Sequence, residues 1–134
     1  MIVVDANVVA YYALPGRRTA TAEKVRARDP VWCAPYLWRS EFRNVLAGLV
    51  KRREMALGLA AEVMAAAEDL LREREFDVDS ARVLDRAAAS GCTAYDCEYI
   101  VLAEELDVPL VTADRQLLRA FPQVATSPEA LARG

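Results

Sequence analysis

Apolar positions along this chain follow two rhythms. Short apolar or β-branched runs at Ile2–Asp5, Val31–Ala34, Phe76–Val78, Val108–Thr112 and Gln123–Thr126 predict strands. Between them lie segments with a helical repeat. Leu37–Arg53 carries Trp38, Phe42, Val45, Leu46, Leu49 and Val50 on one stripe, which predicts a long amphipathic helix. Ala56–Arg74 repeats the pattern with Leu57, Ala60, Ala61, Met64, Ala67 and Leu71. Ala6–Leu14, Thr19–Arg28, Asp79–Ser90, Thr93–Leu106 and Asp114–Phe121 complete the helices. Pro15-Gly16 breaks the first of these, and Gly91 suits the position just past Ser90. Short apolar strands alternating with helices predict an α/β fold, a three-layer sandwich whose central, mostly parallel sheet of about five short strands is flanked by helices. With no linker, repeat or low-complexity segment, residues 1–134 read as a single domain.

Composition narrows the chemistry. Histidine is absent, which removes His-based triads, His-ligated zinc and His-held haem. Cys33, Cys92 and Cys97 form no CxxC pair and no disulfide framework, as expected of a reducing cytoplasmic setting. The most apolar stretch, Met1–Leu14, is cut by Asp5 and Asn7 and falls short of the ~20 residues a membrane span needs. Net charge is −3, so no basic excess announces nucleic acid. The 15 Arg against 2 Lys fit a coding bias as well as they fit guanidinium forks aimed at phosphate.

Four acids stand out by position. In an open parallel sheet, ligands bind beyond the carboxyl ends of the strands. Asp5 ends the first strand and Asp114 follows the strand before it, and each also suits a helix N-cap. Glu41 lies three residues after Trp38 and four before Val45, beside the apolar stripe. Asp96 shares the inward side of its helix with Tyr99, Ile100 and Ala103, while Glu98, Glu104 and Glu105 are expected to fall away and Tyr95 to join the stripe. A carboxylate on a core-facing edge is costly unless it is paired with an Arg or bound to a cation. If the four converge, they repel one another unless a divalent cation sits among them, and oxygen ligands alone select Mg²⁺ or Mn²⁺. The matching reaction is attack of an activated water on a phosphodiester.

The motifs VDAN (Asp5, Asn7), SEFRNVL (Glu41, Asn44, Leu46), TAYDCEYIVLAEEL (Tyr95, Asp96, Tyr99) and VPLVTAD (Thr112, Asp114) occur in this order across almost the whole chain. In this the chain resembles the PIN-domain family, and within it the VapC-type toxin ribonucleases of toxin–antitoxin pairs. The resemblance implies an acidic quartet at Asp5, Glu41, Asp96 and Asp114 that binds Mg²⁺ or Mn²⁺ and hydrolyses RNA, with Asn7 and Thr112 as accessory polar groups. Cys97 departs from the small residue common after the third acid. The resemblance also implies a homodimer and a small cognate antitoxin of VapB type. Arg17, Arg18, Arg39 and Arg43 are candidate phosphate contacts, with solvated surface as the equal alternative for each. Two other readings compete. One is a PIN-like module without catalysis that binds RNA or protein. The other is a phosphatase of haloacid-dehalogenase type, which wants a second Asp where this chain has Asn7.

Overall fold

Every predicted strand forms. In the computed structural model, which describes residues 1–134, they are β1 (Ile2–Val4), β2 (Trp32–Pro35), β3 (Glu75–Phe76), β4 (Leu110–Val111) and β5 (Ala125–Thr126). β1, β4 and β5 are shorter than their apolar runs, β2 keeps its four residues shifted by one, and β3 is shortened and begins one residue early. They join in the order β3-β2-β1-β4-β5, and every pair is parallel. Val3 of β1 sits opposite Cys33 on one side and Leu110 on the other. β1, β2 and β4 are buried along their whole length, which is why they read as unbroken apolar runs without polar alternation.

Eight helices connect and cover the sheet: α1 (Ala6–Ala13), α2 (Thr19–Arg28), α3 (Leu37–Lys51), α4 (Leu57–Leu70), α5 (Ser80–Ser90), α6 (Ala94–Leu106), α7 (Arg115–Ala120) and α8 (Pro128–Arg133). α6 is buried along most of its length and lies against β1, β2 and β4. α3 buries Trp38, Phe42 and Leu46 and packs on β2, α1 and α4. One continuous core holds Trp32, Trp38, Phe42, Tyr99 and Ile100, all of them almost fully buried, with the Trp38 and Phe42 rings stacked. No helix is long and apolar enough to cross a membrane.

Two boundaries differ from the sequence pattern. α4 stops at Leu70, four residues before Arg74. Glu73 takes a left-handed backbone (φ 65°), and the Arg74 guanidinium donates to the carbonyls of Trp32 and Leu70. The chain thereby turns in time to enter β3 at Glu75. The C-terminal segment adds α8, which the apolar pattern does not announce. Ser127 caps it by accepting from Ala130 N–H, and Pro128 occupies its first turn, both favoured start signals.

The strand order creates the place for a site. From β1 the chain first builds outward to β2 and β3, then returns to the other side of β1 for β4 and β5. The order therefore reverses between β1 and β4. A crevice opens beyond the carboxyl ends of strands at such a switch point.

Candidate metal centre

Asp5 is the first residue past β1 and the N-cap of α1. Its Oδ1 accepts from Val8 N–H at 3.0 Å, and its Oδ2 accepts from the Thr112 hydroxyl at 2.5 Å. Thr112 follows β4 and is fully buried; its oxygen in turn accepts from Asp114 N–H at 3.0 Å. Asp114 caps α7, its Oδ1 accepting from the N–H groups of Gln116 and Leu117 at 2.8 and 3.1 Å. One threonine hydroxyl thus couples the two acids that leave the adjacent central strands. Both acids are helix caps and both face the switch-point crevice, so capping does not turn either of them away from it.

The other two acids come from helices. Glu41 lies in the second turn of α3, and its Oε1 accepts from the Tyr99 hydroxyl at 2.5 Å. Asp96 lies in the first turn of α6, with its N–H bonded to Thr93 Oγ1 at 3.0 Å. On either side of that capping turn stand Cys92 and Cys97, both buried, at the two positions where apolar side chains pin the start of a helix.

Asp5, Glu41, Asp96 and Asp114 line one cavity of about 230 Å³, together with Asn7, Asn44 and Tyr99. No Lys or Arg lines it, and none of the four carboxylates joins an ion pair. The four share a wall, but no three of them close on a single point as a finished cage. Their electrostatics follow from this. Asp5, only 8% exposed, has its carboxyl pKa pushed up from 3.8 to about 6, chiefly by burial and further by the charges of Glu41 and Asp114. The Thr112 and Val8 hydrogen bonds pull the other way. Burial, helped by the neighbouring Asp96, raises Glu41. Burial and the charge of Asp114 raise Asp96. Clustered carboxylates with oxygen donors only, and no resident cation among the side chains, fit a hard divalent ion such as Mg²⁺ or Mn²⁺.

The remaining predicted residues divide. Asn7 lines the cavity, and Thr112 bridges two of its acids. Arg39 does not face solvent freely. It donates to Glu75 at 2.5 Å and to Glu68 at 2.7 Å, and Glu75 also accepts from Trp38 Nε1. Arg18 donates to Glu129 and Tyr11 and lies over the Tyr11 ring, tying α8 to the start of α2. Arg17 and Arg43 are exposed and form no ion pair. None of the four arginines lines the acidic cavity.

Two expectations for α6 are corrected. Glu98 lies outside the acidic cavity but does not face solvent. It is half-buried, and burial plus the charge of Glu41 raises its carboxyl. The helix is enclosed on so many sides that even the position two residues past Asp96 meets protein. Tyr95, expected in the apolar stripe, is 64% exposed, at the open start of α6 where Thr93 and Ala94 are exposed as well. The pattern also left two cavity-lining groups without a role: Asn44, one turn after Glu41, and the Tyr99 hydroxyl. The available signal for Tyr99 was a polar tip on an apolar stripe, one turn after a candidate ligand.

Comparison with known proteins gives a concordant result. The chain is 29% identical over 129 residues to Ribonuclease VapC3 of Pyrobaculum aerophilum, covering 93% of this chain and 98% of that protein. Its fold superposes on the crystal structure of PAE2754 from Pyrobaculum aerophilum with a TM-score of 0.78 at 24% identity, over 98% of this chain and 93% of the other. The PIN domain family matches residues 2–122, which take in all four acids and the whole switch-point crevice. On that match, the chain belongs to the PIN domain family.

Proposed function

We propose that this chain is a Mg²⁺- or Mn²⁺-dependent endoribonuclease, the toxin of a toxin–antitoxin pair. One observation carries the reading. Four carboxylates from four separate elements face one cavity that holds no basic side chain and no ion pair. The similarity to a relative named as a VapC ribonuclease supports RNA as the substrate.

Asp5, Glu41, Asp96 and Asp114 would hold the cation. When bound there, a divalent ion supplies charge stabilisation for a phosphodiester and a more acidic water. The chain's own groups do the rest. Val8 N–H and the Thr112 hydroxyl fix both oxygens of Asp5, and the cap bonds fix one oxygen of Asp114 while leaving Oδ2 without a protein partner. Glu41 likewise commits Oε1 to Tyr99 and leaves Oε2 free. The half-buried carboxylates Glu41 and Asp96, both raised by burial, are suited to accept a proton from an attacking water in a site without histidine. Asn7 and Asn44 on the cavity wall offer neutral amide donors to phosphate oxygens.

The same reading supplies partners and place. A small antitoxin of VapB type would silence the enzyme, most directly by presenting a basic side chain to the four acids. The working form would be a cytoplasmic homodimer. The test is cleavage of end-labelled RNA by purified protein in Mg²⁺, in Mn²⁺ and in EDTA. Cleavage with either metal and none in EDTA is expected. Undiminished cleavage by metal-free protein contradicts the mechanism, and RNA binding without cleavage in any metal favours the non-catalytic reading.

A further inference from the structure

Tyr99 is almost completely buried, at 1% exposure, yet it carries a hydroxyl. A buried phenol must spend its O–H on a partner. Here the partner is the carboxylate of Glu41, 58 residues away in sequence, at 2.5 Å, the short range of a charge-assisted bond. The phenol oxygen also lies beside the Ala6 amide, next to Asp5, and within reach of the Asp5 charge. Tyr99 stands one turn after Asp96 on α6, so one helix presents an acid directly and reaches a second acid through this hydroxyl. Glu41 is the only one of the four that has neither a cap bond to hold its carboxylate nor a short side chain to limit its motion.

We infer that Tyr99 is a positioning residue for the proposed metal site: its hydroxyl holds Glu41 Oε1 so that Oε2 is presented to the cavity. The inference rests on the metal-dependent reading above and goes beyond it, because it assigns the orientation of one ligand to a residue that itself binds no metal. The physical basis is preorganisation. An unrestrained glutamate loses rotamer freedom when it binds a cation, and a fixed one has already lost it. Outer-shell partners of this kind are worth about 10–100-fold in metal affinity.

The test is Mn²⁺ binding to wild type, Tyr99→Phe, Glu41→Gln and the double variant, read as free Mn²⁺ by electron paramagnetic resonance. Tyr99→Phe removes one oxygen and keeps the ring in its slot. It should weaken Mn²⁺ binding about 10–100-fold. In the Glu41→Gln background the same change should alter the dissociation constant less than about twofold, because the group it acts through is gone. A purely structural tyrosine would lower the melting temperature in EDTA and leave Mn²⁺ affinity where it was, and that result overturns the inference alone. An undiminished effect in the Glu41→Gln background also overturns it. Absence of Mn²⁺ binding to wild type overturns the metal reading and the inference together. Should Tyr99→Phe fail to fold, the Cζ resonance of Tyr99 in ¹³C-tyrosine-labelled wild type carries the test. It should shift on titration with Mg²⁺, and an unmoved signal in Mg²⁺-loaded protein refutes the inference.

Discussion

Replacing Asp5 with Asn sets two descriptions of the residue against each other. As a helix cap it would be missed; as a buried charge among like charges it would not. The unfolded carboxyl ionises near 3.8, whereas the folded one keeps its proton to about 6. Between those values the native state binds more protons than the unfolded chain, so the metal-free fold loses stability as pH rises and has lost the full amount above about 6. At about 1.4 kcal/mol per pH unit, the ionised form costs the fold roughly 3 kcal/mol at neutral pH. Asparagine is as good a cap as aspartate, so the bond from Val8 N–H survives. With its one oxygen kept for Val8 N–H, asparagine turns its NH2 toward the Thr112 hydroxyl where wild type offers an oxygen, an offset of about 1–2 kcal/mol. The net gain for Asp5→Asn is then about 1–2 kcal/mol. For a chain of 134 residues that is roughly 4–7 °C in melting temperature. Thermal melts in EDTA at pH 7 and pH 4 read it directly. The variant should melt higher at pH 7, and that advantage should be gone at pH 4, where wild-type Asp5 is neutral. With saturating Mn²⁺ the order should reverse, since a ligand at 100 times its dissociation constant stabilises wild type by about 2.7 kcal/mol. A variant that melts several degrees below wild type in EDTA at pH 7 would refute the reasoning and make Asp5 a structural cap.

Other outcomes follow from the same geometry. Asp96→Asn and Glu41→Gln should each lower RNA cleavage by about 100-fold or more, while Glu98→Gln, beside Glu41 but outside the cavity wall, should stay within about threefold of wild type in the same assay. Thr112→Val leaves the Asp114 N–H without its acceptor, so denaturant melts should show a loss of about 1–3 kcal/mol. It also removes a hydrogen bond that lowers the Asp5 pKa, so the pH below which Mn²⁺ binding fails should move upward. In wild type that failure should begin near pH 6, because a proton on Asp5 competes with the cation, and isothermal titration across pH 5–8 checks it. Arg39→Met leaves Glu75, which is 8% exposed, with only the Trp38 Nε1 hydrogen bond, and should cost about 1–3 kcal/mol after allowance for the exposed third of the arginine; RNA affinity should be unchanged, whereas a salt-dependent loss of affinity would return Arg39 to phosphate contact.

The architecture was legible because parallel strands buried on both faces leave a plain trace: apolar runs at β1, β2 and β4 separated by helical repeats. Asp5 and Asp114 were legible because the end of a central strand is a position with few roles. Glu41 and Asp96 were legible because each breaks an apolar edge where solvent-facing positions were available. What escaped was decided by contacts between distant segments. Arg39 looks like a surface arginine until Glu75, 36 residues away, is placed against it. Glu98 looks solvated until α3 is set beside α6. Tyr99 reads as core, which it is, and only its partner reveals the second use of its hydroxyl. The early end of α4 escaped for a local reason: Glu73 adopts a left-handed conformation without the glycine that normally signals one.

The proposed divalent-cation site has Asp5, Glu41, Asp96 and Asp114 as its ligands. That assignment is tested most directly by crystals of wild type and of Asp96→Asn grown with Mn²⁺ and measured at a wavelength where manganese scatters anomalously. Wild type should show an anomalous peak inside the switch-point cavity, bounded by the four carboxylates, and Asp96→Asn should show it weakened or gone. An empty cavity in wild type at millimolar Mn²⁺, or a peak held elsewhere on the chain, would contradict the claim.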